Sequence, residues 1–246
     1  MTPRRFPAHA VDQLRHYCEQ NSTRKFNARG VDVKRCPACM LGHYTCICDY
    51  RRPQANPVDV VLIMHRDEVY KPTNSGRLIA DLFPAHTRAF LWDRIDPDTA
   101  LLDILNDPNR QCGVVFPPDP QRPRDLVDSC IRTTDKKLTL IILDGTWKQA
   151  RKMFAQAKWL QTTPLLDLAP LMANLKSSSI HQFPLGHYPL RKAAANGHLS
   201  TAEATALALA SCKADLQAVA LLEYFSRFTE HYVAMKMNRR LNHSPA

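Results

Sequence analysis

Four short apolar runs constrain most strongly how this chain can fold. "VDVVLIM" (Val58 to Met64), "RAFLW" (Arg88 to Trp92), "CGVVF" (Cys112 to Phe116) and "LTLIIL" (Leu138 to Leu143) are β-branched or aromatic and nearly continuous, with no polar face to offer to water. Strands of that kind belong in a sheet covered on both sides. Between them, "SGRLIADLF", "DTALLDILN" and "RDLVDSCI" have helical spacing and begin near Ser, Asp or Pro. This β-α-β repetition predicts an α/β fold, a mostly parallel sheet flanked by helices. Two helices follow, one opening at "LSTAEATALALA" and one from about Leu216 to Leu241, where Leu221, Phe225, Phe228, Tyr232 and Met235 form a core-facing stripe. Residues 58–246 therefore read as one domain, and "DYRRPQANPVD" separates it from a segment spanning 1–57.

That first segment is basic and holds "CPACMLGHYTCICDY". Cys36 and Cys39 form a C-x2-C knuckle, and Cys46 and Cys48 a C-x-C pair. Four thiolates gathered over so short a stretch suit a tetrahedral structural zinc site with no open position for catalysis. An iron–sulfur cluster uses the same four ligands, and His43 is a possible substitute ligand. Reduced, unligated cysteines suit a segment too small to fold alone least well. Cys18, Cys112, Cys130 and Cys212 are scattered and read as buried free thiols.

The formal net charge is +10, and residues 1–58 carry +6 of it. Arg4, Arg5, Arg15, Arg24, Lys25, Arg29, Lys34, Arg35, Arg51 and Arg52 are positioned in sequence to track phosphates, which supply most non-specific affinity for nucleic acid. A solvated basic surface is the alternative. The first residues, "MTPRRFPAHA", lack the apolar stretch of a secretory signal, and no window approaches the roughly 20 apolar residues of a membrane helix. A cytoplasmic, monomeric protein without a membrane partner is expected.

In a parallel sheet, ligands bind beyond the carboxyl ends of the strands. His65 to Glu68, Phe116 to Pro118 and Asp144 to Trp147 are the segments so placed. There is no G-x-G-x-x-G, no G-x-x-x-x-G-K-[ST], no G-x-S-x-G and no H-E-x-x-H, so dinucleotide, triphosphate, α/β-hydrolase and zincin chemistry lose their signals. At "LDGTWKQARKMF" the fourth run stops at Asp144 and a basic helix opens. Thr146 with Gln149 is a capping box, Gly145 permits a tight turn, and Trp147, Ala150, Phe154 and Ala157 are the expected buried stripe. Ser200 with Glu203 is a second capping box. Spacing alone leaves both motifs open to either an architectural or a functional reading.

Several of these motifs stand together in a known order. The cysteine set, "KPTNSGRLIADLF", "VVFP", Asp144-x-Thr146-Trp147 followed by "ARKMF", "YPLRK" and "LSTAEA" cover roughly residues 30 to 210. In this the chain resembles the DTW-domain family, and specifically its bacterial tRNA-uridine aminocarboxypropyltransferases. "HRDE" at His65 to Glu68 departs from the H-P-x-E of many relatives.

The resemblance implies an enzyme that moves the 3-amino-3-carboxypropyl group of S-adenosylmethionine to N3 of a tRNA uridine. Position 47 in the variable loop is the implied target, and 5′-methylthioadenosine the by-product. It also implies kinship with SPOUT methyltransferases and a trefoil-knotted C-terminal half. Carried over, the cofactor pocket is Phe116, Pro117, Leu143, Gly145, Thr146, Trp147, Arg191, Leu199, Ser200, Thr201 and Glu203. Arg191 would fork onto the carboxylate of the transferred group and Glu203 would pair with its ammonium. Asp144 is the catalytic candidate, as a base or as an orienting group. For tRNA contact the candidates are Arg51 and Arg52 beside the cysteines and Lys148, Arg151 and Lys152 on the helix after Asp144, with Lys158 beyond it. A SPOUT-type tRNA methyltransferase and a non-catalytic zinc-ribbon RNA binder are the alternatives.

Overall fold

The computed structural model describes residues 6–22, 33–119, 135–186, 198–239 and 241. All four apolar runs are strands: β1 (Asp59–Met64), β2 (Thr87–Leu91), β3 (Arg110–Val115) and β4 (Lys137–Asp144), joined by the two-residue β5 (Leu165–Leu166). The sheet order is β2-β1-β4-β3-β5, and every pairing is parallel. β1 and β4 are central, with Met64 opposite both Asp144 and Leu91. The mostly parallel α/β fold read from the sequence is present. The helix expected over "RDLVDSCI" lies outside the described residues, as do segments through which a knot would have to be traced.

Helices, apart from the short α5 (Ala169–Ala173) after β5, account for the absence of a polar strand face. Val60, Leu62, Met64, Leu140 and Ile142 point into one core with α2 (Arg77–Leu82), α6 (Thr201–Ser211) and α7 (Asp215–Lys236). The intervening Val61, Ile63, Ile141 and Leu143 point into a second core with Leu101 of α3 (Thr99–Asn106) and Ala150 and Met153 of α4 (Trp147–Gln156). Successive side chains of a strand face opposite ways, so a sheet with cores on both sides needs apolar residues at every position. α6 is almost wholly buried from Ala202 to Ser211, and its alanines let it pack closely between the sheet and α7. On α7 the anticipated stripe is present: Leu221, Phe225, Phe228 and Met235 are buried and Tyr232 is half-buried.

The N-terminal segment shares this packing. Val11 and Cys18 of α1 (Ala10–Gln20), and Cys36, Cys39, Leu41 and Ile47 around the cysteine set, belong to the first core. α7 reaches them directly: His231 Nδ1 lies 3.1 Å from the Thr45 carbonyl, and the Gly42 amide donates to Met235 Sδ at 3.0 Å. Among the described residues, the two segments on either side of residue 57 share one core.

Beneath this junction lies a buried charge cluster centred on Asp81 of α2. Its carboxylate meets His9 Nε2 at 3.1 Å, Arg51 Nη1 at 3.1 Å and Arg77 Nη1 at 3.0 Å, and accepts from the Tyr224 hydroxyl at 3.2 Å. Arg51 also donates through Nε to the Asp81 carbonyl. This corrects one expectation: Arg51 is 3% exposed and serves the fold, not a phosphate. Buried charges persist only when paired, and Arg51 has its partners inside. Arg15 and Arg35 likewise donate to the backbone carbonyls of Pro37 and Met40 around the cysteines. Arg52 remains at the surface. Among the described residues, no helix is long and apolar enough to cross a membrane.

Burial works to raise the Asp81 carboxyl, but Arg77 first, then His9 and Arg51, hold it below its ordinary value of 3.8. A depressed folded value stabilises fully above the unfolded one and is lost as pH falls through the folded one. Melting temperatures should therefore fall most steeply below about pH 4, and Asp81→Asn should flatten that fall. At neutral pH, Asp81→Ala should cost about 3–5 kcal/mol in denaturant unfolding, because it strands buried cations.

Candidate functional site

β1 continues through α2 toward β2 on one side, whereas the chain leaving β4 reaches β5 on the other. The crevice between β1 and β4 is thus the switch point of the sheet, and Asp144 ends β4 there. It is fully buried. Oδ2 accepts from Asn74 Nδ2 and Oδ1 from Thr201 Oγ1, each at 2.6 Å. Three distant segments meet on this one carboxylate: the loop before α2, the end of β4 and the start of α6.

Each segment is locally prepared for the meeting. Asn74 Oδ1 accepts from the Arg77 amide at 2.8 Å, so the side chain that donates to Asp144 also ties down the start of α2. Ser75 Oγ accepts from the Ala202 amide at 3.3 Å, joining that loop to α6. Gly76 lies against the carboxylate: a Cβ there would stand 2.7 Å from Asp144 Oδ2, so the approach requires glycine. Ser200 caps α6, accepting from the Glu203 amide at 3.3 Å. Glu203 is buried, and its carboxylate accepts from the Ser200 amide at 2.7 Å and the Gly186 amide at 2.8 Å. Both of its oxygens thus serve backbone amides of the α6 start and its neighbouring turn, where the resemblance had given it an ammonium.

The Thr146–Gln149 capping box is also present, at α4. The Thr146 amide donates to Gln149 Oε1 at 2.8 Å, and Thr146 Oγ1 accepts from the Gln149 amide. Gln149 Nε2 then reaches His65 Nδ1 at 3.1 Å, where the Asp67 amide also donates. Glu68, buried just beyond, is paired with Lys71 at 2.7 Å.

The buried stripe of α4 differs from expectation at its first residue. Ala150, Met153 and Ala157 are buried and Phe154 is half-buried, but Trp147 is exposed. As the first residue of α4, Trp147 lies beyond the carboxyl end of β4, stacked on Phe116 at 5.6 Å. Leu143 sits in the core under the site, Gly145, Leu199 and Ser200 are half-buried around it, and Pro117 is exposed. Lys148, Arg151 and Lys152 are exposed on α4. Arg191 and the rest of "YPLRK" lie outside the described residues. Asn74, Ser75 and Gly76 were legible only as part of a motif, because nothing local to "TNSG" shows that its partner is 70 residues away.

The four cysteines form a second centre. All four Sγ atoms lie within 4.8 Å of one another. The Cys36–Cys48 and Cys39–Cys46 sulfurs are 3.7 and 3.6 Å apart. Four thiolates about 2.3 Å from one tetrahedral ion stand about 3.8 Å apart, whereas a cluster would interpose several irons and sulfides and need wider spacing. The donor set therefore fits a single ion. The sulfurs also compete for protons: Cys36 is held low, first by the Cys39 thiol, and Cys48 is pushed high, first by Cys36. Cys18, Cys112 and Cys212 are buried cysteines outside any disulfide, with Cys112 raised to about 11 by burial; Cys130 lies outside the described residues.

The fold and its two centres define a class: a parallel α/β domain with a polar clamp at its strand switch point and, in the same core, four clustered cysteines able to hold a metal ion. The family model for the DTW domain matches residues 33–233, and the chain belongs to the DTW-domain family. Membership supports a role in tRNA modification. No solved structure matches the chain.

Two outcomes follow from this geometry. Elemental analysis should find one metal ion per chain, and its removal by a chelator should lower the melting temperature by several degrees, since such ions contribute directly to folding. Gly76→Ala should lose about 1–3 kcal/mol of stability, as overpacked sites do, measured as a shift in denaturant midpoint.

Proposed function

We propose that this protein transfers the 3-amino-3-carboxypropyl group of S-adenosylmethionine to N3 of a tRNA uridine, at position 47 of the variable loop, releasing 5′-methylthioadenosine. The observation that carries this reading is the Asp144 clamp, which gathers three of the family's motifs, "TNSG", "DGTW" and "LSTAEA", at the switch point of a parallel sheet. The donor supplies a sulfonium-activated γ-carbon, so the N3–C bond forms as the S–C bond breaks, and the N3 proton passes to solvent. The candidate donor contacts are Phe116, Pro117, Leu143, Gly145 to Trp147 and Leu199 to Thr201, and Arg191 is the candidate partner for its carboxylate. The cysteine centre takes Zn2+ and acts structurally.

Asp144 is better suited to positioning than to proton transfer. Its oxygens already accept from Asn74 and Thr201, and it has no exposure through which to meet a base directly. It holds the Asn74 amide and the Thr201 hydroxyl in fixed orientation at the crevice, and orientation of that kind supplies much of the rate of a reaction between activated partners.

Mass spectrometry of unmodified tRNA incubated with S-adenosylmethionine tests the reaction. Gain of the aminocarboxypropyl mass on a uridine, with methylthioadenosine in solution, supports it; a methyl gain with S-adenosylhomocysteine, or no product, overturns it. For the clamp, Asp144→Asn and Asp144→Ala should each lower kcat about 100-fold or more, with tRNA affinity retained. An equal loss of tRNA affinity would show that Asp144 shapes the RNA site instead. Lys148, Arg151 and Lys152, with Arg52, would contact phosphates. Each lost contact should reduce the slope of log affinity against log salt by about 0.7–0.9.

A further inference from the structure

Four rings form a column running outward from the second core. Phe154 stacks on Phe116 at 4.3 Å, Phe116 on Trp147 at 5.6 Å, and Trp147 on His198 at 5.0 Å with 30° between the planes. The inner two pack against the core beneath α4, while Trp147 stands outside it. Trp147 is 40% exposed and His198 half-buried. Trp147 thus keeps a large exposed area although it has a ring on either side.

From this we infer that the Trp147–His198 end of the column is a base-stacking platform for single-stranded RNA. The proposal rests on the reading of the crevice as a tRNA-modifying site and adds the residues that hold the substrate's base. Two observations select RNA. Lys148, Arg151 and Lys152 are exposed on the same helix that carries Trp147, and an aromatic platform beside a basic track is how single strands are held irrespective of sequence. Trp147 is three residues after Asp144 and His198 three before Thr201, so the outer rings flank the clamp in sequence on both sides. Trp147 has Phe116 on one side and His198 on the other, so His198 is the outermost ring of the column. His198 is the new residue here, acting by contact with the base.

The test compares a short oligouridylate with an abasic strand of equal length and the same phosphates, binding to the full-length protein. Base–aromatic stacking contributes about 1–3 kcal/mol per base, or roughly 5- to 150-fold in affinity. The wild type should prefer the oligouridylate by a factor in that range. His198→Ala and Trp147→Ala should abolish the preference while leaving affinity for the abasic strand unchanged; Trp147→Phe and His198→Tyr should retain it. Affinity for S-adenosylmethionine should be unchanged in the two His198 variants. Absence of a base preference in the wild type, or its persistence in both alanine variants, overturns the proposal. So does loss of S-adenosylmethionine affinity in those variants with the base preference intact, which would assign the rings to the donor's adenine. The proposed reaction fails separately: a wild-type protein that prefers the base yet forms no product on tRNA removes the reaction and leaves the platform standing.

Discussion

A carboxylate buried at the end of a strand must have its oxygens satisfied, and the arrangement of the crevice follows from how Asp144 meets that demand. Its partners come from the loop before α2 and the first residue of α6, 70 residues earlier and 57 later. Satisfying one side chain therefore aligns the carboxyl end of β4, the start of α2 and the start of α6. Gly76 is part of the same requirement, because a side chain there would occupy the space of the carboxylate. Capping boxes on α4 and α6 complete the frame by fixing each helix start from within its own sequence.

A second buried carboxylate organises the opposite end of α2. Asp81 gathers His9, Arg51, Arg77 and Tyr224, and Arg77 also donates to the Ala38 carbonyl inside the cysteine loop at 3.3 Å. One short helix thus connects the two centres: its leading loop holds Asp144, and its body holds the segment around the four cysteines. Any ion in that set acts on the crevice through packing, which suits a structural role better than a chemical one.

Much of this was legible in advance. The continuous apolar runs announced strands buried on both faces, and the C-x2-C and C-x-C pairs announced the sulfur cluster that the fold assembles. Both capping boxes could be read because their partners are three residues apart. The errors fell where the deciding contact was remote. Arg51 looked like a phosphate ligand because its charge is visible in sequence, whereas its partner Asp81 is 30 residues away. Trp147 looked like core because it fits the helical period of α4, but the period does not say where the sheet ends.

What the sequence determined by itself was therefore local: strand and helix type, helix starts, the sulfur donors, and, through its motifs, the family. Only the tertiary structure decided which polar groups share a burial site, because a buried charge or amide is satisfied by whichever partner the fold brings within about 3 Å, irrespective of separation along the chain. That is why Asp144 met Asn74 and Thr201, why Glu203 turned to backbone amides, and why Trp147 ended at the surface beneath His198.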